Sequence, residues 1–200
     1  MKPLSVNKPH LIIMVGIPGS GKSFFAEHFA DTFKSPIISY DNLRNKISEL
    51  PTYTKEEDDS VRKIANYILN ETLKTGRTVI FDGQSDTRID RAQVSKLARD
   101  AGYEPLIIWV QTEPLTAKKR STKLNDSKYK TSPEKFDHIY KRFSPPHMTE
   151  KAVVISGKHT YSSQLKIVLK SLAEPQPTLT PNPTPVPVER SPRSRNYLIR

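Results

Sequence analysis

Leu11-Ile12-Ile13-Met14-Val15-Gly16-Ile17-Pro18-Gly19-Ser20-Gly21-Lys22-Ser23-Phe24-Phe25-Ala26-Glu27-His28-Phe29-Ala30 decides how the rest of the chain is read. Five strand-forming residues run into a glycine-rich turn, and the turn closes on Lys-Ser at the start of a helical stretch. The spacing Gly16-x-x-x-x-Gly21-Lys22-Ser23 is that of a phosphate-binding loop, and the flanking strand and helix are the context that gives the spacing its meaning. Glycine lets the backbone curl until successive N–H groups converge on one point, where the following helix adds partial positive charge. Gly16, Ile17, Pro18, Gly19, Ser20, Gly21, Lys22 and Ser23 are therefore the expected ATP contacts. Lys22 is expected on the β- and γ-phosphates, and the Ser23 hydroxyl on magnesium.

Outward from this loop, short β-rich segments alternate with longer stretches of helical period. Strands are predicted near 11–15, 36–40, 78–82, 104–110 and 152–156, and helices near 22–33, 42–50, 55–75, 87–101, 113–124, 133–142 and 162–173. This alternation specifies an α/β fold, a parallel sheet of about five strands with helices on both faces. In such a sheet the carboxyl ends of neighbouring strands face one ligand crevice. Asp41 and Arg44 follow the second strand, and Asp82 ends the third in Val79-Ile80-Phe81-Asp82. A carboxylate in that crevice can take the proton of an attacking hydroxyl, and an arginine three residues on can hold an acceptor's phosphate. Asp41 is thus the candidate general base, Arg44 the candidate acceptor clamp, and Asp82 with Ser23 the candidate magnesium site. An Asp preceding a helix also serves as a plain cap, so the residues alone leave Asp41 two readings; Asp82 could likewise cap the next turn.

Charge and composition narrow the field. The chain has 200 residues, no Cys and a net charge of +11. Disulfides, thiolate metal sites and cysteine nucleophiles are excluded. No apolar run approaches the roughly 20 residues of a membrane span, so a cytoplasmic protein without membrane contact is expected. From Glu174 onward, Pro175, Pro177, Pro181, Pro183, Pro185, Pro187 and Pro192 alternate with polar residues, which reads as a disordered tail over 174–200. Four arginines against two glutamates give that tail +2, so +9 belongs to residues 1–173. The expected organisation is an extension over 1–10, a domain over 11–173 and the tail. Between 115 and 135, seven Lys/Arg face two Asp/Glu, and Arg142-Phe143-Ser144-Pro145-Pro146 ends the next helical stretch.

Strand, GxPGSGKS loop, Asp41-x-x-Arg44 and the basic segment together resemble the polynucleotide kinase-like family of P-loop kinases, of which zeta-toxin-like and small-molecule kinases are wider relatives. The resemblance spans about residues 11–156. It implies a P-loop NTPase fold with Asp41 as base toward a 5′-hydroxyl, Arg44 on the substrate phosphate, and a helical lid over about 115–143. Arg120 would be its catalytic and ATP-contacting arginine. The family carries a second lid arginine where this chain has Leu124, so Lys123 is the expected substitute. The family's residues after the Asp82 position differ here, where Gly83-Gln84-Ser85 stand.

The leading expectation is an ATP- and magnesium-dependent kinase acting on the 5′-hydroxyl of a nucleic acid. A small-molecule acceptor (nucleoside, sugar, antibiotic or nucleotide-sugar) and an ATP-binding or ATPase module without kinase activity are the alternatives. Oligomeric state is not legible in the sequence.

Overall fold

The computed structural model describes residues 8–48, 51–123 and 130–173. The proline-rich tail and Leu124 lie outside them. Strand β1 (His10–Val15) leads through the phosphate loop into helix α1 (Lys22–Phe33). Strand β2 (Ile37–Ser39) passes directly into helix α2 (Tyr40–Ile47), which is followed by helix α3 (Lys55–Leu73). Strand β3 (Val79–Asp82), helix α4 (Arg88–Asp100) and strand β4 (Glu104–Gln111) come next. Helices α5 (Pro114–Thr122) and α6 (Pro133–Arg142) precede a 3-10 turn at Met148–Glu150. Strand β5 (Val153–Ser156) and helix α7 (Tyr161–Ala173) complete the fold.

The five strands form one sheet in the order β2-β3-β1-β4-β5, parallel at every pairing. Alternate residues of β1 point to opposite faces, and both faces are covered. Leu11, Ile13 and Val15 pack with Ala65, Leu69 and Leu73 of α3 and Ala98 of α4. Ile12 and Met14 pack with Phe25, Ala26 and Phe29 of α1 and Val168 and Leu172 of α7. The result is a three-layer α/β fold with its phosphate loop at the carboxyl end of the central strand. A third, smaller cluster of Ile17, Ala117 and Phe136, with Phe143 against it, seats α5 and α6 over the phosphate loop.

Helix α2 starts earlier than the sequence suggests. The Ser39 hydroxyl accepts the Asn42 N–H at 3.3 Å, and a serine in extended conformation is a good cap. Tyr40 and Asp41 are thereby drawn into the first turn. Helix α5 begins at Pro114, capped by the Glu113 side chain on the N–H groups of Leu115 and Thr116. No helix among the described residues is long and apolar enough to cross a membrane.

Candidate functional site

The phosphate loop is built on close backbone approach. Gly16 and Gly19 have φ of 149° and 74°. A Cβ on Gly19 would stand 2.2 Å from the Ala117 carbonyl oxygen, and one on Gly16 would stand 2.6 Å from that of Val110. Only glycine fits either position. The Lys22 ammonium donates to the carbonyls of Gly16 at 2.8 Å and Ile17 at 3.2 Å, which folds it over its own loop. The Ser20 hydroxyl oxygen is buried without a hydrogen-bond partner among the described residues.

Beside the loop, Ser23 Oγ donates to Asp82 Oδ2 at 2.7 Å. Helix α4 is capped by Thr87, which shares a reciprocal capping box with Asp90. Asp82 is therefore not needed as a cap, and its partner is the loop serine. Burial pushes the Asp82 carboxyl above its usual range, Lys22 and Ser23 pull it down, and the charge of Asp41 pushes it up again. A hydroxyl and a carboxylate side by side are the hard oxygen donors that suit magnesium, and a buried carboxylate of this kind gains from a divalent cation. The residues present fit a magnesium–nucleotide pair.

Asp41 is exposed in the first turn of α2. Ser39, two residues before it, is the sheet partner of Asp82, so the two acids leave neighbouring strands at the same end. Ser39 does the capping, which removes the plain-cap account of Asp41. Arg44 stands differently from expectation. Its guanidinium is buried and donates to Glu57 Oε1 at 2.7 Å and to Asp58 Oδ1, so the charge expected to wait for an acceptor phosphate is already engaged.

Near the turn after β5, Arg120 Nη1 donates to the Gly157 carbonyl at 3.0 Å, and the Thr112 hydroxyl donates to the Ser20 carbonyl at 2.9 Å. A Cβ on Gly157 would lie 1.9 Å from Ser20 O, so the turn after β5 presses directly on the phosphate loop. Lys123 ends α5 as an exposed residue, apart from these contacts.

Several residues of the site went unnoticed in the sequence. Arg91 is fully buried in α4, with Nε 2.6 Å from Glu150 Oε2 and Nη2 2.9 Å from Glu150 Oε1. Its Nη1 also donates to the carbonyls of Ser85 at 3.1 Å and Ser144 at 2.8 Å. Arg142 adds an ion pair to Asp86 at 2.8 Å, and Ser144 N donates to the Asp86 carbonyl. The return segment from α6 is thus tied to the turn that follows Asp82. The available signal was an arginine in register with the buried positions Ser95 and Ala98 of α4. Burial pushes the Glu150 carboxyl up, but hydrogen bonds from Arg91 and the His147 N–H more than reverse this and leave it below the usual range.

Tyr53 was also missed. It is a non-glycine residue at φ 55°, held there because Glu57 Oε2 accepts the N–H groups of Thr52 at 2.6 Å and Tyr53 at 3.0 Å. Burial alone would raise the Glu57 carboxyl, but hydrogen bonds from Thr52, Arg44 and Tyr53 bring it down to about 2. Arg44 Cζ lies 4.7 Å from the Tyr53 ring centroid and Lys135 Nζ 3.0 Å from it.

Among solved structures, the chain resembles a gluconokinase from Sinorhizobium meliloti at 18% identity and a TM-score of 0.60, covering 82% of this chain and 92% of that one. It resembles Kti12 from Chaetomium thermophilum, solved with ADP-AlF3, at 14% identity and 0.58, covering 82% and 100%. It also resembles a chain of the Pnkp1/Rnl/Hen1 complex at 22% and 0.52, covering 64% of this chain and 45% of that one. At these identities the likeness concerns the fold, which is that of P-loop kinase-like proteins. No curated protein matches the sequence. The profile of a family described as an AAA domain matches residues 11–146, well over half of the chain, and the chain belongs to that family.

Proposed function

We propose that this protein is an ATP-dependent phosphotransferase that moves the γ-phosphoryl group to a hydroxyl. The reading rests chiefly on one juxtaposition. A glycine cradle with Lys22, the Ser23 hydroxyl on the buried Asp82 and the exposed carboxylate of Asp41 gather at the carboxyl ends of three adjacent strands. The backbone N–H groups and Lys22 hold the phosphates. Ser23 and Asp82 would hold magnesium, which would supply divalent charge to the phosphates. Asp41 accepts the proton of the acceptor hydroxyl as it attacks. Arg120, at the end of α5, adds positive charge at the transferring group, and the α5–α6 pair excludes water over the loop.

Two observations favour different acceptors. The +9 charge of residues 1–173, with the basic segment 115–135, favours a polyanion such as the 5′-hydroxyl end of a nucleic acid. The engagement of Arg44 by Glu57 and Asp58 favours a small molecule that needs no free guanidinium.

The test is transfer of label from γ-labelled ATP, with magnesium, to a 5′-hydroxyl oligonucleotide or to a panel of sugars and nucleosides. Asp41→Asn should lower transfer by about 10²- to 10⁴-fold, the span of general-base catalysis, while ATP affinity stays in place. An unchanged rate in that variant, or free phosphate as the sole product, would overturn the reading.

A further inference from the structure

Resting on the phosphotransferase reading, we propose that Arg44, Tyr53, Glu57 and Lys135 build an acceptor subsite beside Asp41. The ligand it fits is an uncharged polyhydroxy small molecule, of the sugar, polyol or nucleoside class, and not a phosphate-bearing one.

The ring of Tyr53 is placed by force. A bulky residue with positive φ carries a conformational penalty that surrounding structure must offset, and here Glu57 does so by accepting both the Thr52 and Tyr53 N–H groups. Tyr53 as a residue keeps 37% of its surface open, with Lys135 and Arg44 over its ring. A tyrosine with that much open surface can meet the C–H edge of a sugar or a nucleoside alongside those cations.

Arg44 supplies the second observation. It is 7% exposed, and its Nε is buried without a hydrogen-bond partner among the described residues. A guanidinium cannot shed its proton to relieve this. The Nε–H donor would be matched by a hydroxyl or carbonyl oxygen of a ligand.

Charge then selects the ligand class. Arg44 and Lys135 carry two positive charges, and Glu57 and Asp58 carry two negative ones. Asp41 couples to Lys135 and to Tyr53 in the same group, which brings the total to one negative charge. A phosphate entering here meets two carboxylates already bonded to the guanidinium and no surplus cation, whereas a neutral ligand meets carboxylate acceptors and an N–H donor without such repulsion. Lys135 arrives from α6, far along the chain, so the subsite is bounded on a second side by the element that also roofs the phosphate loop. Burial lowers its ammonium to about 8, in keeping with a site partly shielded from water.

The experiment uses the full chain with magnesium and γ-labelled ATP. It offers hexoses, pentoses, polyols and nucleosides beside the corresponding monophosphates and a 5′-hydroxyl decanucleotide. Label is expected on an uncharged compound. Tyr53→Leu should raise the KM for that compound by about 3- to 10-fold, the worth of a lost ring contact, without changing the KM for ATP. Glu57→Gln, which takes the group from one negative charge to neutral, should shift preference toward the phosphate-bearing acceptors by about tenfold. Tyr53→Leu alters a half-open side chain and keeps the test available if the Glu57 variant does not fold. Preferential label on a monophosphate or the oligonucleotide overturns the subsite and leaves the kinase reading intact, as does a neutral acceptor indifferent to Tyr53→Leu. Free phosphate alone overturns the kinase reading and the subsite with it.

Discussion

Arg91→Met gives a quantitative test of how the roof over the phosphate loop is fastened. The guanidinium is fully buried and spends four good donor contacts, two on Glu150 and one each on Ser85 O and Ser144 O. Methionine keeps much of the volume and removes every donor. It leaves Glu150, whose side chain is 11% exposed, as a carboxylate facing an apolar neighbour. Breaking one side of a buried pair costs about 3–5 kcal/mol, and in a chain of this size each kcal/mol lowers the melting temperature by about 2–4 °C. The expected drop is therefore about 6–20 °C. The double variant Arg91→Met/Glu150→Met, measured in the same thermal melts, should recover a large part of the loss, because the orphaned carboxylate is then gone. A drop below about 3 °C for the single variant, or additive costs in the double, would refute the assignment of this pair as the fastening.

Two further outcomes follow from the geometry. Gly157→Ala places a methyl 1.9 Å from Ser20 O and 2.3 Å from Thr112 Oγ1, and relieving such an overlap costs about 1–3 kcal/mol. ATP titration should show weaker binding, and unaltered affinity would mean that the turn after β5 does not support the loop. Lys135 tests a pH effect. Burial disfavours its charged form in the fold, where it titrates near 8 against an ordinary value of 10.5. The unfolded chain then binds a proton that the folded chain has released, so stability rises with pH between about 8 and 10.5. Denaturant titrations across that window should show this rise diminished in Lys135→Met, and parallel profiles would argue against the shift.

The strands and helices were legible because their periods are local. Val61, Ala65, Leu69 and Leu73 recur at helical spacing and form the buried face of α3, and β1 reads as an unbroken apolar run because both its faces are covered. The phosphate loop was legible for a related reason, since all its residues are consecutive. Strand order was not, because periodicity identifies elements without naming their neighbours. The state of Arg44 was hidden for the same cause. Its partners Glu57 and Asp58 stand thirteen and fourteen residues on, beyond any helical repeat, and they reach it only after the 51–54 segment turns. Arg91 and Glu150 lie 59 residues apart. Tyr53 could not be read at all, since its conformation is imposed by a carboxylate that sequence alone assigns to the first turn of α3. Asp41 lies in the first turn after the second strand, and that Ser39 caps this helix in its stead was not legible.

The order of the sheet divides the protein into a conservative middle and a permissive margin. β1 sits at the centre and alternates its residues between two separate cores, so a shift of one position would exchange the two sets of neighbours and drag the phosphate loop with it. β2, by contrast, is a three-residue strand at the rim, paired along one edge only. The half of the molecule that carries the phosphate loop is therefore locked by its surroundings. The half that leads to Asp41 and Tyr53 rests on this single-edged strand and can change with less strain on the central strands. On the phosphotransferase reading proposed above, the acceptor side can change by editing one rim of the sheet while the phosphate loop stays as it is.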